Sequence, residues 1–200
     1  LAAQAIVITS LADPLADAQV NILGTLRVLE CCRRFAVTRV VYASSAAVYG
    51  PPQYLPIDEK HPIQPTSPYG ITKYTPEQYF AIYRDLYGIN SVILRYANVF
   101  GPRQDPLGEG GVVAIFTDQI QRGITPTVYG DGEQTRDFVY VKDVAQANWL
   151  ALKFLNSLNQ SGNQNVSQQQ KQSLILNVST NQRTSINELY RALHRTVTAP

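Results

Sequence analysis

The chain has 200 residues, enough for one well-filled core, or one core and a small lobe. Apolar residues make up 44% and charged residues 16%, the balance of a globular chain rather than a disordered one. The net charge of +2 argues against a nucleic-acid or polyanion footprint, and no apolar run approaches the roughly 20 residues of a membrane span.

The opening segment, LAAQAIVITS, has no initiator Met and lacks the layout of a signal peptide. It reads as the end of a buried strand and the loop after it, so the chain is expected to start within a domain. Asp13-Pro14 is a helix start, with a side-chain acceptor at the N-cap and Pro at the first helical position. Ala18, Ile22, Leu26 and Leu29 follow at helical spacing, carrying the helix to about Phe35. Cys31 and Cys32 are adjacent in it, which makes no disulfide framework; reduced, buried, inert thiols and a cytoplasmic location are expected.

Arg39 to Ala43 is a short β-branched run, expected to be a strand buried on both faces. A polar, Pro-rich loop covers about 51–66. Ser67-Pro68 opens the next helix, and Gly88 caps its end. Ser91 to Tyr96 is a strand. Helix, strand, helix, strand implies right-handed crossovers and a parallel sheet.

Beyond Gly101 the texture changes. A short helix fits 112–122, Val128-Tyr129 begins a small strand, and Phe138 to Val141 is another. Asp143 is read as the cap of a helix running to about Leu155, with Trp149 as a packing residue. Residues 156–172 are Gln/Asn-rich and read as a surface loop. Ser173 to Val178 is a strand, and Ser185-x-x-Glu188 is a capping box for the last helix.

Tyr69-Gly-Ile-Thr-Lys73 puts a phenol and an ammonium four apart, on one helix face. A fixed cation favours phenolate, so Tyr69 is expected to serve as an acid/base near neutral pH. Ala43-Ser-Ser-Ala-Ala-Val-Tyr-Gly50 lies just past the strand at 39–43, where open α/β sheets bind ligands. On its own, each motif also has a plain reading: a chance spacing, or loop serines bonded to their own backbone.

Taken in order, Ser44-Ser-Ala-Ala-Val-Tyr-Gly50, Ser67-Pro-Tyr-Gly-x-x-Lys73, Leu94-Arg-Tyr-Ala-Asn98-Val-Phe-Gly-Pro-Arg103 and Gly130-Asp-Gly-x-Gln-Thr-Arg-Asp-Phe-Val-Tyr-Val141 resemble the extended short-chain dehydrogenase/reductases. The chain is most similar to their bacterial UDP-glucose 4-epimerase group, over nearly its whole length. The resemblance implies a partial Rossmann-type, doubly wound parallel α/β sheet with a small C-terminal substrate-binding lobe. The division expected is 1–104 for the dinucleotide domain and 105–200 mainly for the lobe, with about 143–178 returning to the first domain.

The resemblance also implies roles. Tyr69 is the acid/base, Lys73 the lysine on the nicotinamide ribose that tunes it, and Ser45 the hydroxyl on the reacting sugar oxygen. Ala2, Ala3, Gln4, Asn21, Ser44, Tyr96 and Ala97 join Tyr69 and Lys73 around NAD. Asn98, Val112, Thr127, Val128, Tyr129 and Arg136 join Ser45 on a nucleotide sugar, with Arg136 suited to forking onto phosphate oxygens. No metal is expected. A homodimer is implied, through the helices at about 14–36 and 67–87.

The activity implied is C4 epimerisation of a UDP-sugar through a 4-keto intermediate. Dehydratase relatives carry acidic residues just after the catalytic hydroxyl residue, where this chain has Ala46 and Ala47. Same-family dehydratases, decarboxylases or reductases, and a non-catalytic NAD-binding protein, are the rivals. The glycine-rich dinucleotide loop, G-x-G-x-x-G or G-x-x-G-x-x-G, does not occur in these residues, so the 200 residues alone are expected to bind NAD weakly and to be inactive. Pro76, early in the Tyr69 helix, is expected to disturb it.

Overall fold

The structure is a computed structural model that describes residues 3–107, 111–158 and 174–198. It divides into two compact units. The first comprises residues 1–96 with 146–177, and the second 97–145 with 178–200.

In the first unit, α1 (Val7–Ala12) is followed by α2 (Pro14–Ala18), a π turn (Gln19–Leu23) and α3 (Gly24–Arg34). The Asp13 carboxylate caps α2 by accepting from Ala16 N at 2.9 Å. Residues 7–12 are therefore helical, not the loop read from LAAQAIVITS. The strand β1 (Arg39–Ser45) pairs in parallel with β2 (Asn90–Tyr96), Arg39 opposite Asn90 and Ser45 opposite Tyr96. Between them runs α4 (Pro68–Tyr87), capped by Ser67 Oγ, which accepts from Gly70 N, and ended by Gly88 at φ 68°. The helix is continuous through the buried Pro76.

The sheet order is β1-β2-β6, with β6 (Leu174–Val178) on the other side of β2. Central β2 is buried over five successive residues. In β1 only Tyr42 and Ser44 are buried, contrary to the expectation of a strand covered on both faces. Among the described residues β1 has one strand neighbour, β2, while β2 has two. Leu29, Tyr42, Phe80, Ile89 and Ile93 form the core, with the Tyr42 and Phe80 rings 5.0 Å apart.

In the second unit, β3 (Asn98–Phe100) pairs in parallel with β5 (Phe138–Tyr140). The short β4 (Thr135–Arg136) pairs antiparallel with β7 (Thr184–Ser185). α5 (Val112–Gln121) packs on α7 (Ile186–Thr198), with Phe116 edge-on to Tyr190 at 6.3 Å. The capping box forms: Ser185 N donates to Glu188 Oε2 at 2.8 Å, and Glu188 N to Ser185 Oγ at 3.1 Å.

Several expectations are corrected. Residues 128–129 form no strand; the pairing partner of β7 is Thr135–Arg136. The helix α6 (Val141–Ser157) begins two residues before Asp143, which lies in its first turn rather than at its cap. Trp149 is 57% exposed, with the Lys153 ammonium 5.3 Å from its ring centre, so it is a surface residue. Cys31 is exposed and Cys32 half-buried, both free; the helix turns Leu29 inward and Cys31 outward. Most of the Gln/Asn-rich segment lies outside the described residues, as do Ala2 and Ser173.

Candidate active site

The site in the first unit is built where β1 ends and α4 begins. Ser45, the last residue of β1, turns the chain into a 3-10 turn (Ala46–Val48) by accepting from Ala47 N at 3.2 Å. That bond uses an oxygen lone pair and leaves the hydroxyl proton to give. Tyr69 is the second residue of α4, and its N–H donates to Ser10 Oγ at 3.1 Å, a fully buried hydroxyl on α1. Gly70 lets these two segments meet. A Cβ there would sit 2.7 Å from the Ala47 carbonyl oxygen, so only glycine allows α4 this close to the turn after Ser45.

Lys73 is one helical turn beyond Tyr69 and 6% exposed. Its ammonium lies 5.1 Å from the centre of the Tyr42 ring. Burial pushes it down to about 8, while the Asp17 and Glu77 carboxylates act against that shift. No hydrogen-bond partner of this ammonium is seen among the described residues, and a buried ammonium of that kind fits a ligand rich in hydroxyls, such as a ribose. Burial likewise pushes the Tyr42 phenol far up, with Glu77 and Tyr69 adding to the effect.

Two buried polar networks flank Lys73. In one, Glu77 accepts from Ser44 Oγ at 2.6 Å and from Arg95 at 3.1 and 2.6 Å. Arg95 also donates to Tyr49 Oη at 2.9 Å, which donates to Asn177 Oδ1 at 2.7 Å. In the other, Asp17 accepts from Gln4, Asn21 and Thr72. Asn21 also donates to Gln4 O and Thr72 Oγ1, and accepts from Gln4 N.

Several residues read as cofactor contacts also bond within the protein. The Ser44 hydroxyl donates to Glu77, and the side chains of Gln4 and Asn21 donate to protein partners. Ala3 lies in the same half-exposed segment as Gln4. Tyr96 Oη is 2.9 Å from Asn148 Oδ1. Sequence reasoning missed Asp17, Thr72, Glu77 and Arg95. A Lys-x-x-x-Glu spacing continues the Tyr-x-x-x-Lys face and was a readable signal for Glu77.

In the second unit, Asn98 is exposed, its N and Nδ2 both donating to Asp137 O, at 3.0 and 3.2 Å. Ala97 N donates to Val178 O at 3.0 Å. Val112 is the first residue of α5. Thr127 and Arg136 are exposed, Val128 is half-buried and Tyr129 is 82% exposed. Arg136 Nη1 donates to Thr135 O at 2.8 Å, while Asp137 is engaged by Thr180 and Gln182. Among the described residues the other donors of the exposed Arg136 guanidinium have no partner.

A parallel α/β sheet with Ser45 at the carboxyl end of β1 and Tyr69 and Lys73 in the first turns of α4, the helix between β1 and β2, defines a Rossmann-type dehydrogenase/reductase scaffold. The chain belongs to the NAD dependent epimerase/dehydratase family, matched over residues 1–167. It is 42% identical over 201 aligned residues to the UDP-glucose 4-epimerase of Mycolicibacterium smegmatis, an alignment covering all of this chain and 59% of that protein. Among solved structures it is similar to the Thermotoga maritima UDP-glucose 4-epimerase with UDP-glucose, at 40% identity and TM-score 0.86, covering 98% of this chain and 59% of that one. It is also similar to the Thermus thermophilus UDP-glucose 4-epimerase complex with NAD, at 39% identity and TM-score 0.83, covering 98% and 60%. The chain thus spans under two thirds of the length of these relatives. No helix among the described residues is long and apolar enough to cross a membrane.

Proposed function

We propose that the protein containing this chain is an NAD-dependent nucleotide-sugar 4-epimerase acting on UDP-glucose and UDP-galactose, or close analogues, through a 4-keto intermediate. The observation that carries this reading is the Lys73 ammonium, buried over the Tyr42 ring one helical turn from Tyr69, on a helix that Gly70 brings against the turn after Ser45. Lys73 holds the nicotinamide ribose and keeps positive charge beside Tyr69. Tyr69 takes the proton of the sugar 4-hydroxyl and later returns it. Ser45 donates a hydrogen bond to the same oxygen. When bound, NAD supplies the reversible acceptance of hydride from C4. Asn98, Val112, residues 127–129 and Arg136 hold the nucleotide end of the substrate, with the exposed Arg136 on a phosphate.

Ala46 and Ala47 favour epimerisation over dehydration. They form the turn after Ser45 and carry no group able to move a proton at C5 or C6. The test is a coupled assay of the intact protein with UDP-galactose and no added reductant. UDP-glucose is the expected product; a 4-keto-6-deoxy sugar would sink this reading.

A homodimer and a cytoplasmic location belong to the same proposal. On α4, Tyr79 and Tyr83 pack on the core, while Ile82 and Leu86 are 50% and 66% exposed. With Val20, Leu23 and Val28, they offer apolar surface for a second copy. Light scattering of the intact protein at micromolar concentration should give twice the chain mass; a monomer counts against the dimer. The two free cysteines fit a reducing compartment.

A further inference from the structure

Two carboxylates are almost fully buried among the described residues, Asp17 at 1% exposure and Glu77 at 2%. They are satisfied in different ways. Glu77 meets the Arg95 guanidinium at 2.6 Å. Asp17 is held by neutral donors: Gln4 Nε2 at 2.7 Å and Asn21 Nδ2 at 3.0 Å on Oδ1, and the Thr72 hydroxyl at 2.6 Å on Oδ2.

Taking a carboxylate out of water is costly even after relaxation. A neutral amide of the same shape would fill this site at lower cost, so a purely structural role does not account for the charge. The location does. Thr72 stands between Tyr69 and Lys73 in the chain, and its Oγ1 is 3.1 Å from the Tyr69 carbonyl oxygen. Whatever holds Thr72 holds the turn that carries both residues. Asn21 sits in the π turn, a wide turn often found at functional sites, and ties that turn to Gln4 and Thr72.

We propose that Asp17 is a positioning residue for this active site: its buried carboxylate binds the loop at Gln4, the π turn at Asn21 and α4 at Thr72 into one unit, and gives Lys73 a fixed counter-charge. The groups facing Lys73 are Asp17 from α2, Glu77 from its own helix and the Tyr42 ring from β1, whose phenol in turn feels Tyr69. Arg95 of β2 already engages the Glu77 charge. Both carboxylates oppose the lowering that burial imposes on Lys73, Asp17 more than Glu77.

The kinetic arm of this inference rests on the epimerase reading; its titration arm does not. The experiment uses the intact protein with D17N, T72V and T72S. D17N keeps the side-chain shape and removes the charge. It should lower kcat by about ten- to hundredfold with KM little changed, the size of effect that follows from misplaced reacting groups. The Lys73 ammonium, followed by NMR of carbon-13-labelled lysine, should titrate at lower pH in D17N than in wild type. The limb of the kcat–pH profile should move the same way. T72V should reproduce the loss of kcat, and T72S, which keeps the hydroxyl, should restore it.

Wild-type kcat in D17N with an unmoved Lys73 midpoint overturns the proposal, whatever happens to Tm. Should D17N fail to fold, equal kcat in T72V and T72S overturns it instead. A wild-type protein without epimerase activity refutes the functional reading alone, and the Lys73 midpoint of D17N or T72V then decides for or against Asp17.

Discussion

The Arg95 guanidinium forks onto both carboxylate oxygens of Glu77, at 3.1 and 2.6 Å, with the side chains only 3% and 1% exposed. The pair joins β2 to α4, and the Ser44 hydroxyl adds the end of β1 to it. Removing one partner leaves the other charge buried and uncompensated. Glu77→Gln or Arg95→Met should therefore cost about 3–5 kcal/mol in urea denaturation. A loss no larger than that of an exposed pair such as Arg33–Glu30 would show that the buried pair is not structural.

Gly70 sets how near α4 comes to the turn after Ser45. In Gly70→Ala the new methyl meets the Ala47 carbonyl oxygen at 2.7 Å, and a backbone atom cannot swing aside. Stability should fall by about 1–3 kcal/mol, as for other overpacked sites. Turnover should fall too, because Tyr69 moves relative to Ser45. Full activity in Gly70→Ala would show that the segments tolerate separation.

Tyr69→Phe removes the proposed acid/base without changing the ring. In the intact protein, kcat should fall by roughly 10²–10⁴, the usual share of general acid/base catalysis. UDP binding, followed by calorimetry, should change little. Unaltered turnover would remove Tyr69 from the mechanism.

Burial holds Lys73 at about 8, below its ordinary 10.5. Below about 8 both folded and unfolded chains are protonated there, and the cost of burying the ammonium is present in full. Between about 8 and 10.5 the unfolded chain binds more protons, so this group makes stability rise with pH. The urea midpoint measured at pH 7.5 and 9.5 should rise relative to Lys73→Met, which cannot titrate. A fall relative to that variant would contradict the burial.

Residues 1–200 contain no glycine-rich dinucleotide loop, and pyrophosphate is normally held by such a loop at a helix N-terminus. The 200-residue chain alone should bind NAD weakly and show no epimerase activity. Calorimetric titration against the intact protein checks this, and micromolar affinity in the isolated chain would mean the cofactor site is misplaced.

The sequence by itself determined what depends on near neighbours. Ser67-Pro68 and Gly88 fix the two ends of α4, and Ser185 with Glu188 fixes the start of α7, because caps need partners only a few residues away. The Tyr69–Lys73 spacing follows from the helical repeat in the same way, and four motifs in order carried the family. Tertiary structure decided what depends on burial and on distant partners. Asp17 meets Thr72 across 55 positions, and Tyr49 meets Asn177 across 128, with no periodicity to announce either contact. Helical spacing likewise could not say that Cys31 and Trp149 face solvent, or that the side chains of Gln4, Asn21 and Ser44 bond within the protein. Whether a polar group is free for a ligand depends on every neighbour that can reach it, and only the folded chain brings those neighbours together.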